Sequence, residues 1–153
     1  MDERANYGEP DLEIDGFQLW IHGREFPQSQ DYYDGNWLRI TAHCGARGAD
    51  VWISGSLLMV TDLVSFGKDC EALAIGSTEK ATLNPMEPEL EISLERSDSL
   101  GHFTAVVDIT PDHMNQEHRF EFETDQTYLH RLTSQCQQIA KKYPIRGADQ
   151  IAT

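Results

Sequence analysis

Cysteine and histidine are the residue types in this sequence that could perform nucleophilic or metal chemistry. A thiolate activated by imidazole would need His43 beside Cys44, but neighbours on a strand point to opposite faces of a sheet. The six histidines have no zinc-type spacing, and Asp112-His113 is the nearest approach to one. Cys70 and Cys136 lie on apolar helical stripes, where a thiol behaves as a small apolar group. We therefore expect no catalytic residues, no metal site and no cofactor.

Paired carboxylates could act as general acid and base in hydrolysis, and acids are abundant here. Glu89 and Glu91 share one face of a strand, as acids do on many solvated sheet edges. The sequence has no phosphate-binding glycine loop, nucleophile elbow or dinucleotide fingerprint. We predict that the protein is not an enzyme. An enzyme acting on a small molecule remains a third hypothesis without a residue set to support it.

Aromatic residues beside acids indicate protein binding instead. The segment from Asp31 to Trp37 contains two tyrosines, two aspartates and a tryptophan. Such rings give rigid contact area, and neighbouring acids favour basic partners. Trp20, Trp37 and Trp52 are each out of phase with the aliphatic residues of their strands, so we expect the indoles on the sheet face opposite the helices. The predicted partner-binding residues are Asp31, Tyr32, Tyr33, Asp34, Trp20, Trp37 and Trp52.

Other arrangements of these aromatic residues stay open. The loop tyrosines could fold back onto the sheet. A curled sheet and a covering segment could enclose the indoles as a second small core. A β-bulge in any of the strands would reverse its phase. The exposure of the rings separates these alternatives.

The net charge of −14 is unevenly distributed along the chain. Residues 79–125 carry twelve acids and three bases, a net charge of −9, and residues 1–34 carry −7. This charge opposes direct binding to nucleic acids or anionic membranes, because phosphates require cationic partners. It favours a basic protein partner, although it would also serve solubility alone.

Alternating apolar and polar residues from Pro88 to Asp125 predict three consecutive antiparallel strands. Similar alternation predicts short strands between residues 12 and 53. Thr61 or Asp62 is expected to cap a first helix, and Thr124 or Asp125 a second. The buried face of the central strands is predicted to contain Leu90, Ile92, Phe103, Val107, Ile109, Phe120 and Phe122. The two helical stripes are Leu63, Phe66, Cys70 and Leu73, then Leu129, Leu132, Cys136 and Ile139.

We therefore predict an α+β fold in which an antiparallel meander of about six or seven strands carries two amphipathic helices on one face. The matching helical stripes fit either an internal duplication or two ordinary amphipathic helices. Residues 1–10 are expected to form a flexible N-terminal segment, residues 11–145 a single domain and residues 146–153 a C-terminal tail.

A cytoplasmic location is expected from three features. The start of the chain is acidic, whereas a signal peptide begins with basic residues and an apolar core. No run approaches the ~20 apolar residues of a membrane helix. The cysteines, Cys44, Cys70 and Cys136, are too few and odd in number for a disulfide framework.

Several short motifs, in this order along the chain, resemble the WapI-type immunity proteins. The motifs are Phe26-Pro27, Asp31 to Leu38, Gly55-Ser56-Leu57-Leu58, Asp62-Leu63-x-x-Phe66, Glu89-Leu90-Glu91 and Phe120-Glu121-Phe122. The resemblance covers about residues 12–143. It implies a small cytosolic bacterial protein that binds and neutralises the nuclease domain of a polymorphic toxin.

Two function classes therefore lead. The first is a stoichiometric immunity protein whose acids mimic nucleic acid and cover the basic cleft of a toxin. The second is a structural or regulatory domain that self-associates through its sheet face, giving a homodimer. A large toxin gene immediately upstream would favour the first.

Overall fold

The computed structural model describes residues 7–150 of the chain. Residues 1–6 of the predicted N-terminal segment and residues 151–153 of the predicted tail lie outside the described residues. In the described part, four strands and a helix occur twice in succession. The first set is β1 (Leu12–Ile14), β2 (Phe17–Arg24), β3 (Trp37–Ala46), β4 (Ala49–Met59) and α1 (Val60–Ala74). The second is β5 (Lys80–Leu83), β6 (Leu90–Arg96), β7 (His102–Ile109), β8 (Arg119–Asp125) and α2 (Gln126–Lys142). Short 3-10 helices cover Asp34–Asn36 and Ala148–Gln150.

The α+β class and the two helices are confirmed, but the single sheet of six or seven strands is wrong. Strands β1 to β4 form one antiparallel sheet in sequence order, and β5 to β8 form another. We call these the first sheet and the second sheet. Each described strand pairs with its neighbours along the chain within the same set, and α1 separates β4 from β5.

The apolar faces of both sheets and of both helices meet in one core. Leu90, Ile92 and Phe103 are buried there as the alternation predicts. Phe120 and Phe122 are only partly buried, and their rings stack with centroids 6.5 Å apart. Both predicted helical stripes are buried, with Leu63, Phe66, Cys70, Leu73, Leu129, Leu132, Cys136 and Ile139 all in the core.

Side-chain oxygens satisfy free amides at the start of both helices. Asp125 precedes α2 and accepts hydrogen bonds from the amides of Thr127 and Tyr128, as predicted. Helix α1 begins at Val60 with Met59 at its N-cap, so the predicted cap at Thr61 or Asp62 is wrong by at least two residues. There Asp62 lies in the first turn and accepts from the amide of Met59 at 2.8 Å.

The two helices approach each other closely at Gly67. A Cβ placed on Gly67 would lie 2.7 Å from the Cβ of Cys136, closer than real Cβ contacts. This glycine has weak helix propensity but is needed where α1 crosses α2. The close packing of α1 against α2 therefore depends on a glycine at this position.

Candidate protein-binding surface

The segment that the sequence singled out, Asp31 to Trp37, forms a compact turn. Asp31 accepts hydrogen bonds from the amides of Tyr33 and Asp34, each at 3.1 Å, and a short 3-10 helix follows. The Tyr32 and Tyr33 rings meet edge to face, with centroids 5.1 Å apart. Tyr33 is 59% exposed. Both aspartates are exposed too, so the turn presents an aromatic ring between two carboxylates to solvent.

A fully buried asparagine, Asn36, holds this loop in place through hydrogen bonds. Asn36 donates to the backbone oxygens of Tyr32 and Arg146, at 2.6 and 2.9 Å, and accepts from the amide of Arg146. Asn36 is thus bonded both to Tyr32 of its own loop and to Arg146, which lies 110 residues further along the chain. The 31–37 loop and the segment after α2 form one unit.

Two arginines complete this connection. Arg24 donates to the backbone oxygens of Gly35 and Pro144, at 2.6 and 2.5 Å. Arg146 donates to the oxygens of Pro27 and Ser29, at 2.6 and 2.9 Å. Burial lowers the pKa of Arg24, and the cation of Arg146 lowers it further. We call Asn36, Arg24 and Arg146 the loop clamp.

The predicted phase of Trp20 and Trp52 is found in the structure. Both point away from the core, on the outer face of the first sheet, while Leu19, Ile21 and Ile53 point into it. The two indoles stack with their centroids 5.8 Å apart and their planes 9° apart. We call the surface formed by Trp20, Trp52, His22 and His43 the aromatic face.

Tyr7 covers part of the aromatic face. Its ring lies 5.5 Å from Trp20 and 5.3 Å from His22, and the indole N–H of Trp20 donates to the oxygen of Gly8 at 2.9 Å. Trp20 is consequently only 7% exposed, while Trp52 is half-buried. The two indoles stack on each other, and Tyr7 covers one of them. The arrangement is thus intermediate between the two alternatives, a fully exposed patch and a second small core.

Polar side chains surround the stacked indoles. His43 stacks on Trp52 with centroids 4.2 Å apart, and its ring nitrogens contact Gln18 at 2.9 Å and Asp50 at 2.5 Å. His22 lies 2.7 Å from the hydroxyl of Thr41. The aromatic face can therefore offer both ring surface and hydrogen-bonding groups to a partner.

Trp37 lies on the same face but at the far end of β3. It pairs with Met59, whereas Thr41 pairs with Trp20, so four residues of strand, about 13 Å, separate the two positions. Register shifts occur between Ile21 and Gly23 in β2 and opposite Leu38 in β3. The predicted residues therefore form two groups, the stacked indoles and the 31–37 loop that ends at Trp37.

The outer face of the second sheet carries mainly acidic rather than aromatic side chains. The sequence alone did not identify this face as a site. Its register places Glu91 beside Asp108 and Asp108 beside Arg119, and it places Glu123 beside Thr104. Arg119 forms an ion pair with Asp108 at 2.9 Å. The carboxylates on this surface, which we call the acidic face, are Glu91, Glu95, Asp108, Glu121 and Glu123.

The reactive side chains have no site-like arrangement in the described residues. Cys44, Cys70 and Cys136 are unpaired and buried, and burial raises the pKa of each thiol, to about 12 for Cys44 and Cys136. Residues 7–150 contain no group of three or more histidines, cysteines or acids able to hold a metal ion. None of their helices is long and apolar enough to span a membrane.

Solved structures show a distant likeness to this chain. The crystal structure of WHY1 from Arabidopsis thaliana matches at a TM-score of 0.45 and 11% identity, covering 89% of this chain and 82% of that one. The crystal structure of WHY3 from Arabidopsis thaliana matches at 0.42 and 11%, covering 92% and 90%. No curated protein sequence matches the chain.

One family model covers almost all of the described residues. It is described as the immunity protein WapI-like family and matches residues 11–144, which confirms the resemblance seen in the short motifs. The matched range includes both sheets, both helices and the 31–37 loop. The chain therefore belongs to the immunity protein WapI-like family.

Proposed function

We propose that the protein neutralises a toxin by binding it stoichiometrically, and that the acidic face of the second sheet covers a basic cleft of the toxin domain. The family membership supports a toxin as the partner. The observation that carries the rest is the acidic face itself, where Glu91, Glu95, Glu121 and Glu123 accompany a single aspartate–arginine pair. This sheet region has the net charge of −9 found over residues 79–125.

A nuclease domain is the kind of toxin that this face would fit. Enzymes that act on nucleic acids bind the phosphate backbone through lysine and arginine, and a row of carboxylates can occupy the same cations. Complementary fields also speed encounter between the partners. The 31–37 loop, with Tyr33 exposed between two aspartates, would add a rigid aromatic contact.

We place this interaction in the cytoplasm. The three cysteines are free, and buried thiols without disulfides are typical of a reducing compartment.

The test requires a candidate toxin domain, such as one encoded next to this gene, co-expressed with and without the chain. Survival only in the presence of the chain, together with a one-to-one complex of the purified proteins, is the expected result. Growth arrest that is equally severe with the chain present would contradict the immunity function for that toxin.

The role of the acidic face has its own measurement. The double variant Glu121→Gln/Glu123→Gln should slow association at low salt by about tenfold or more, and the difference should shrink as salt screens the charges. The matched control is Asp69→Asn/Glu71→Gln, which removes the same charge from the exposed side of α1. Equal on-rates for the two double variants would show that the second sheet is not the binding face.

Self-association through the aromatic face is the alternative that the stacked indoles favour. Sedimentation at increasing concentration tests it directly. A homodimer that weakens when Trp52 is replaced by Ala would support this alternative.

A further inference from the structure

A cleft of about 200 Å³ lies between the two halves of the chain. This volume is below the ~300–1,000 Å³ of pockets that hold drug-sized ligands, and it suits a single long side chain. Its walls are formed by Trp52, Ile53, Ser54 and Leu57 of β4 and by Glu89 and Pro111, which lie just before β6 and just after β7. The cleft is thus bordered by β4 of the first sheet on one side and by segments that flank β6 and β7 of the second sheet on the other.

Among residues 7–150, Glu89 is the one charged residue that lines this cleft. One of its carboxylate oxygens is buried and has no hydrogen-bond partner within residues 7–150, and the other lies 3.9 Å from a ring nitrogen of His113. A buried carboxylate oxygen without a donor is costly, so an entering donor would be bound with a gain in free energy. The terminal torsion of a glutamate is broad, which lets the carboxylate turn toward the cleft.

The other walls suit the stem of a long basic side chain. Trp52, Ile53, Leu57 and Pro111 have apolar side chains, and Ser54 completes the lining, with its hydroxyl 2.9 Å from that of Thr41. Lysine and arginine bury their methylene groups along such surfaces while the charged end finds a carboxylate. The indole of Trp52 already contacts Trp20 and His43, so we assign it the role of an apolar wall rather than of a cation–π partner.

We propose that this cleft, which we call the Glu89 cleft, receives one arginine side chain of the toxin that the protein neutralises. This inference rests on the proposed function, which makes a toxin the partner, and it adds a specific contact that anchors the toxin. Arginine is preferred to lysine because its planar group donates two parallel hydrogen bonds to a carboxylate and is enriched in protein interfaces. The negative charge over residues 79–125 favours a cation over a neutral side chain.

The experiment uses the purified chain and N-acetyl-arginine amide as the probe. Binding is followed by the indole N–H signals of the three tryptophans in two-dimensional NMR, with the Trp52 signal assigned from the Trp52→Phe spectrum. The neutral probe is the corresponding citrulline amide, and a lysine amide tests the second basic side chain. The variant is Glu89→Gln, and its matched control is Glu71→Gln, which removes the same charge from the exposed side of α1, outside both the cleft and the acidic face.

Saturable shifts of the Trp52 signal with the arginine probe, and little or none with citrulline, are expected. Glu89→Gln should weaken binding about tenfold or more, as loss of a charge-assisted hydrogen bond does, while Glu71→Gln should bind like the wild type. The spectrum of each variant shows directly whether it is folded. Equal weakening in both variants, or equal binding of citrulline, would overturn the Glu89 cleft, and tighter binding of lysine would overturn the choice of arginine.

Once a toxin is identified, the same pair of variants separates this inference from the proposed function. Glu89→Gln should speed dissociation of the complex while leaving association nearly unchanged, because a buried contact acts on the off-rate. A complex of unchanged lifetime would remove the Glu89 cleft and leave the immunity function standing.

Discussion

Replacement of Gly67 by alanine should destabilise the protein, although alanine is the better helix former. Alanine favours a helix interior by about 1 kcal/mol relative to glycine. At this position, however, the new Cβ would lie 2.7 Å from the Cβ of Cys136, and a Cβ cannot rotate away as a longer side chain can. Carbon atoms in contact lie about 3.5–4.0 Å apart, so α1 and α2 would have to separate by roughly 1 Å. Overpacking of this kind costs about 1–3 kcal/mol before the helix gain is subtracted. We therefore expect a net loss of about 1 kcal/mol.

Ser65 supplies the matched control for this substitution. It is exposed on the same helix, so Ser65→Ala and Ser65→Gly measure the alanine preference of α1 without a packing contact. Urea unfolding should show Ser65→Ala more stable than Ser65→Gly by about 1 kcal/mol. Gly67→Ala should lie below the wild type.

A double-mutant cycle tests whether the contact with Cys136 causes the loss of stability in Gly67→Ala. Cys136→Gly removes the opposing Cβ, so Gly67→Ala should cost less in that background than alone, with a coupling of about 1 kcal/mol or more. If Gly67→Ala were more stable than the wild type by the margin seen at Ser65, the close approach of the helices would be refuted.

Three further perturbations follow from the same structure. Leu132→Ala should cost about 2–5 kcal/mol, because it opens a cavity in the core, and a denaturation midpoint equal to the wild type would contradict that packing. Asn36→Ala should loosen the 31–37 loop, seen as faster amide hydrogen exchange at 31–36, while exchange in β6 to β8 stays slow. The hydrogen bond and charge of Asp98 raise the pKa of exposed His102, so NMR titration should place it above the ordinary histidine value and nearer that value in Asp98→Ala. Its stabilising effect is complete below the ordinary histidine pKa of about 6.5 and is lost as the pH rises through the raised pKa, so His102→Gln should matter at pH 5.5 and not at pH 8.5.

Local patterns predicted the elements well because their causes lie within a few residues. The alternation around Leu90, Ile92 and Phe103 sets which side chains are buried, and the spacing of Leu129, Leu132 and Cys136 sets a helical stripe. The division into two sheets was not predictable in this way. Strand pairing depends on which edges meet, and the alternation of β4 and β5 is the same whether or not they pair.

In the candidate surface, too, local features could be predicted from the sequence and tertiary contacts could not. The phase of Trp20 and Trp52 could be read from their strands, but their cover could not, because Tyr7 has no local signal that places it on an indole. The loop clamp was invisible to sequence reasoning for a different reason. Asn36 and Arg146 are ordinary turn and tail residues until the fold brings them together. In the sequence Glu89 is one acid among many, because its one buried oxygen without a donor in residues 7–150 is a property of the tertiary structure.

The loop clamp also sets an order of events during synthesis. Arg146 leaves the ribosome 110 residues after Asn36, which corresponds to roughly 5–20 s at ordinary bacterial or eukaryotic elongation rates. During that interval the first sheet can form, but the side-chain amide of Asn36 lacks the backbone partners that Arg146 provides, and Arg24 lacks the carbonyl of Pro144. A nascent chain therefore presents this loop in its final shape only after α2 has been translated. Under the proposed function, this loop would therefore become available to a partner only once the rest of the fold is complete.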